Sequence, residues 1–164
     1  MAGTDLILFE EEYARLTDAV TRLQRDAGAI SAFMIDRSGQ PIASAGAVAD
    51  VDATSLASLT AGNVAATEGL AQLIGERQFS ALFHEGETKH MHMTLVAGKI
   101  ILVIVFDERS SLGLVRLRVR KASAEFVRIL DAVGKKADNH ETRAGFESPF
   151  AEITDDDIDN LFAD

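Results

Sequence analysis

Apolar side chains return every three or four positions near the start of the chain, at Leu6, Phe9, Tyr13, Leu16, Val20, Leu23 and Ala27. That period predicts an amphipathic helix. Glu10, Glu11 and Glu12 suit the positive end of its dipole, and Gly28 follows as its stop. Ile30–Asp36 then reads as a strand, Arg37-Ser38-Gly39-Gln40 as a turn and Pro41–Ala45 as a short returning strand. Proline cannot donate to a ladder, which places that strand at a sheet edge. From about Asp52 to Gly75 the stripe Leu56, Leu59, Asn63, Ala66, Leu70 and Leu73 predicts a second helix.

Three strands follow in quick succession. In Phe79–Glu85, Phe79, Ala81 and Phe83 alternate with Ser80, Leu82 and His84. After a turn at Gly86-Glu87-Thr88, strand Lys89–Val96 alternates Met91, Met93 and Leu95 with His90, His92 and Thr94. A hairpin closed by that turn pairs Phe83 with Met91 and Phe79 with Leu95, and sets His84 opposite His90. Ile100–Phe106 is apolar throughout, as expected of a central strand covered on both faces. The stretch Leu114–Arg120 alternates like a strand, but Leu112, Val115, Val119, Ala122, Phe126, Ile129 and Val133 hold helical spacing for about six turns, and length favours a helix. Ser110 or Ser111 would cap its start, and Lys135 and Lys136 would sit at its C-terminal end. Three helices covering both faces of one five-stranded sheet make a three-layer α/β domain.

Composition narrows the classes of function. The 164 residues include no cysteine, which excludes disulfides and thiolate metal sites and fits a reducing compartment. No basic leader precedes an apolar segment, and the longest apolar run falls far short of the roughly 20 residues of a membrane span. The expectation is a cytoplasmic protein without membrane insertion. Net charge is −10, of which residues 137–164 carry −8, with nine acids against Arg143, while residues 1–136 carry −2. A near-neutral body with an acidic end argues against nucleic acid or anionic lipid and for a protein partner. The division expected is a domain over 1–136, a flexible linker over 137–147 and an acidic amphipathic segment over 148–164.

Motifs for chemistry are scarce. The chain has no phosphate-binding glycine loop, nucleophile elbow, HExxH or calcium loop. His84, His90 and His92 come nearest to a metal set, but no carboxylate or cysteine completes it, and an exposed polar hairpin face is the simpler reading. Asp155, Asp156 and Asp157 lack the spaced ligands of a hard-cation loop. Two features ask for more. Ala57, Ala61, Ala65 and Gly69 recur four apart, with Gly62 and Ala66 beside them, a smooth ridge that another backbone could approach closely. At the end, Phe150, Ile153, Ile158, Leu161 and Phe162 lie among acids, with a capping box from Thr154 to Asp157, in the manner of a tethered recognition helix.

The element order, together with TSLASLTAGNVAATEGLAQLIGE, IILVIVFD, RSSLGLVRLRVRKAS and SPFAEITDDDIDNLF, resembles the bacterial branch of the roadblock (dynein light-chain) family over essentially the whole chain. The resemblance implies a mostly antiparallel sheet with two helices on one face and one on the other. It also implies a homodimer in which second helices and the Phe79–Glu85 strands meet. The implied partner is the Ras-like GTPase MglA, bound by two subunits and accelerated in GTP hydrolysis, in the setting of cell polarity or motility. Enrichment at a cell pole and further polarity proteins as partners belong to the same implication, while no cofactor and no active site of the chain's own are expected. Ala65 and Gly69 match the family's GTPase-facing positions, with Ala61 on the same ridge and Glu68 beside it. The segment carrying Phe150, Ile153, Ile158, Leu161 and Phe162 matches a second GTPase contact that influences nucleotide exchange. Arg77 and Arg109 are the only arginines expected near the ridge, so activation would work by repositioning the GTPase's own catalytic residues. The alternatives are a non-catalytic scaffold using the same surface and, further off, a metal-dependent enzyme on the histidine face.

Overall fold

The computed structural model describes residues 10–146, which form the order α1 (Glu10–Asp26), β1 (Ser31–Asp36), β2 (Pro41–Gly46), α2 (Ala53–Leu73), β3 (Ala81–Glu85), β4 (His90–Val96), β5 (Ile100–Phe106) and α3 (Leu112–Phe146). Leu6 and Phe9 lie outside this range, as does everything from Glu147 onward. The strands form one antiparallel sheet in the order β2-β1-β5-β4-β3, so the wholly apolar β5 is central and the proline-led β2 is an edge, as their composition predicts. The β1–β2 ladder carries an irregularity between Met34 and Ile35.

Alternation along β1 and β5 divides the core in two. Ala32, Met34, Leu102 and Ile104 face α1 and α3, where they pack with Leu16, Val20, Phe126 and Ile129. Phe33, Ile35, Ile101 and Val103 face α2, where they meet Ala57 together with Leu56 and Val64. Two helices therefore cover one face and one covers the other. α1 closes in a Schellman motif, with Gly28 at φ 62°, its N–H on the Arg25 carbonyl at 3.1 Å and the Ala29 N–H on the Gln24 carbonyl at 3.0 Å. Its N-terminal turn is fastened to α3 through Lys136, which pairs with buried Glu12 and lies 3.2 Å from Glu11. The ammonium beside Glu12 holds that carboxyl below its ordinary range.

Four expectations are corrected. The β3–β4 register is displaced by one residue: Phe83 pairs with His92 and His84 with Met91, where Phe83 was expected opposite Met91. The connection is four residues long rather than three, from Gly86 to Lys89. It closes so tightly that a Cβ on Gly86 would lie 2.3 Å from the Lys89 carbonyl oxygen. A slip of one residue turns every side chain to the other face. Second, the α2 stripe is not the one that faces the sheet. Ala57, Thr60 and Ala71 are its buried residues, and Leu59, Leu70 and Leu73 point outward. Third, Tyr13 is exposed on α1. Fourth, α3 runs to Phe146, which carries helical backbone through most of the 137–147 segment read as a linker and puts Lys135 and Lys136 well inside the helix. No helix among the described residues is long and apolar enough to cross a membrane.

Candidate protein-interaction surface

α2 begins at an Asp52 cap that accepts from the Ser55 N–H at 3.1 Å and from the Ser55 hydroxyl at 2.6 Å, contacts that depress the Asp52 carboxyl. Beyond it, Ala57, Thr60 and Ala71 are the buried residues, with Leu56 and Val64 partly buried against the sheet, while the other large side chains stay in water. Leu59 is 74% exposed, Leu73 83% and the following Ile74 69%. Leu59, Gly62, Ala66, Leu70 and Leu73 recur at helical spacing on this outward face. Phe79, leading into β3, is another large apolar side chain left exposed. β3 itself has β4 as its one strand neighbour, leaving its outer edge unpaired among the described residues.

The expected contact residues separate around the helix. Ala57 is buried under the sheet, Ala61 is partly buried, and Ala65 and Gly69 are exposed. A Cβ built on Gly62 or Gly69 would meet nothing within 4 Å. Neither glycine is there to let this chain's own sheet approach. Glu68, next to Gly69, is engaged: its Oε1 accepts from Arg37 Nη2 at 2.5 Å, and Arg37 Nη1 reaches the Gly98 carbonyl at 3.3 Å. Glu68 also lines a groove together with Val64, Phe79, Leu82, Met93 and Leu95.

Arg37 was not among the arginines singled out from sequence, because it reads there only as a turn residue. The two that were singled out lie elsewhere. Arg109 follows β5 at the end of the sheet opposite to Arg37 and is held by Asp107 through bonds of 3.0–3.2 Å, which lowers the Asp107 carboxyl. Arg77 is exposed beyond α2. Arg116, Arg118, Arg120 and Arg128 are on α3, across the sheet from α2.

The histidine set comes apart with the corrected register. His84 faces α2, its Nε2 3.4 Å from Asn63 Nδ2. His90 and His92 face the other way, His90 against Phe83 and Phe106. His92 is 2% exposed, with Nδ1 3.2 Å from the Thr94 hydroxyl and Nε2 without a hydrogen-bond partner among the described residues. Burial foremost, and then the nearby Arg116 charge, keep its pKa below the ordinary histidine value. Among the described residues no three histidines or acids are placed to hold a metal. Phe150, Ile153, Ile158, Leu161 and Phe162 lie outside the described residues.

Residues 16–106 match the Roadblock/LC7 domain family. Among solved structures, Myxococcus xanthus MglB is 50% identical, with a TM-score of 0.74 over 78% of this chain and 96% of that one. The gliding protein MglB of Thermus thermophilus is 34% identical, with a TM-score of 0.73 over 80% and 99%. An MglB described with a tetrameric arrangement is 32% identical, with a TM-score of 0.75 over 80% and 99%. No curated protein matches the chain.

Proposed function

The chain belongs to the Roadblock/LC7 family, and from that premise we propose that it is a homodimeric, cytoplasmic regulator that activates a Ras-like GTPase of the MglA type in bacterial polarity or motility. The observation that carries this reading is α2. Ala65 and Gly69 are exposed, and at Gly62 and Gly69 nothing outside α2 in the described chain lies within 4 Å of where a side chain would begin, the form expected where a partner backbone must come close. Large outward leucines on the neighbouring strip supply the surface for a second copy. Resemblance to MglB proteins, one of them described as a gliding protein, supports the choice of partner and setting.

On this reading two subunits present paired α2 helices to one GTPase. Ala61, Ala65 and Gly69 make close contact and Glu68 borders it. The C-terminal residues Phe150, Ile153, Ile158, Leu161 and Phe162 engage a second place and tune nucleotide exchange. Activation comes from selecting the GTPase conformation in which its own arginine, glutamine and attacking water are aligned, so that differential affinity becomes rate. The test is single-turnover GTP hydrolysis by purified MglA-type GTPase with and without the full chain. Acceleration that disappears in Ala65→Arg or Gly69→Arg, with the dimer intact, supports activation. Binding without acceleration would make the protein a scaffold on the same surface, and unaltered activity in both variants would move the site off α2.

A further inference from the structure

We propose that Arg37 is a positioning residue for the GTPase-facing half of α2, acting through Glu68. This rests on the functional reading above for its consequence, though not for its geometry. Between Thr60 and Ala71, α2 has no fully buried residue, and Val64, only partly buried, is the side chain of that half packed against the sheet core. Two polar side-chain contacts add to it from opposite flanks. Asn63 meets His84 of β3 at 3.4 Å, and Glu68 meets Arg37 at 2.5 Å.

The Arg37 tie is the stiffer of the two because its base is braced. Asp36 at the end of β1 accepts from the Ser38 hydroxyl at 2.7 Å and the Gln40 N–H at 2.9 Å, which holds the β1–β2 turn that carries Arg37. The same turn is pressed against the first half of α2, where a Cβ on Gly39 would come within 3.3 Å of Ser58 Cα. From this base the guanidinium bridges the Glu68 carboxylate and the Gly98 carbonyl in the β4–β5 turn. Three segments far apart in sequence are thereby joined at the place where Ala65 and Gly69 are presented. Pairing also cancels the one formal charge next to Gly69, leaving a near-neutral contact surface. Ordering the surface before the partner arrives lowers the entropy lost on binding, so Arg37 acts on affinity and not on the chemical step.

Amide hydrogen exchange on the full-length protein tests the geometry without any partner. Arg37→Ala should speed exchange over residues 61–73 while leaving α1 and α3 unchanged; exchange that does not move overturns the proposal. Titrating the activator into single-turnover GTP hydrolysis tests the consequence. Arg37→Ala and Glu68→Gln should each raise the half-saturating concentration by about two- to fivefold, the range of an exposed ion pair. The double variant should be no worse than the weaker single, and the exchanged pair Arg37→Glu with Glu68→Arg should recover part of the loss. Additive losses, or a fall in the rate at saturation, would overturn the positioning role. A wild-type chain without effect on the GTPase, but whose exchange still responds to Arg37→Ala, would sink the functional reading and leave the tether standing.

Discussion

A glycine inside a helix costs about 0.5–1 kcal/mol relative to alanine, and at Gly69 no contact within the described chain offsets it. Gly69→Ala should therefore raise the thermal midpoint by about 1–4 °C while weakening GTPase binding, and calorimetry paired with a binding titration reads both. A lowered midpoint would mean that something in the free protein already presses on that position. His92 carries a pH dependence whose direction follows from its burial. Its pKa is depressed in the fold, so below the ordinary histidine value of about 6.5 the unfolded chain takes up a proton that the folded chain refuses, and stability falls with pH until the folded pKa is passed. Glu12, depressed by Lys136, adds a separate loss in the carboxylate range at lower pH. In His92→Phe the midpoint should stay flatter between pH 6.5 and the onset of the carboxylate loss, as thermal melts across that window would reveal; a wild-type slope in the variant would remove His92 as the cause. The burial of His92 was not legible in the sequence, where it reads as one of three residues on an exposed polar face.

At the scale of elements, the arginine question has a direct answer by kinetics. A donated arginine is worth about 10³–10⁵ in rate, yet Arg109 is locked to Asp107 at the far end of β5 and Arg77 trails beyond α2. Arg77→Ala and Arg109→Ala should each cost only a few-fold in single-turnover hydrolysis at saturating activator, and a thousandfold loss from either, with binding intact, would show that the chain supplies a catalytic group. Deleting 148–164 should weaken affinity or alter nucleotide exchange while sparing the core complex; if both are unchanged, the terminal segment is no contact. Element order, the central place of β5 and the edge place of β2 were readable because hydrophobic period and proline act locally. The face of α2 was not. Hydrophobicity assigns Leu59, Leu70 and Leu73 to a core, and sequence alone does not say whether that core lies within one chain or between two. Arg37 was hidden for a related reason, since its partners Glu68 and Gly98 are distant in sequence and only the fold brings them to it.

For the molecule as a whole, Leu59, Leu70, Leu73, Ile74 and Phe79 are large apolar side chains left exposed, and β3 is a sheet edge unpaired among the described residues. Exposed apolar surface of this kind is what an interface would cover, and a homodimer is the expected state. Light scattering at micromolar concentration should give twice the chain mass, and Leu59→Glu with Leu73→Glu should shift it to the monomer. A wild-type chain that stays monomeric would reject the assembly. The two borders of the sheet are not alike. β3 offers open backbone groups, whereas β2 begins with proline, meets β1 through an irregular ladder and has α1 packed over it. Strand addition at β3 by a two-fold axis would use up the more open of the two sheet borders among the described residues of each copy. A pair joined in that way would have no growing end at β3, so this route would let the protein double without polymerising into a fibre.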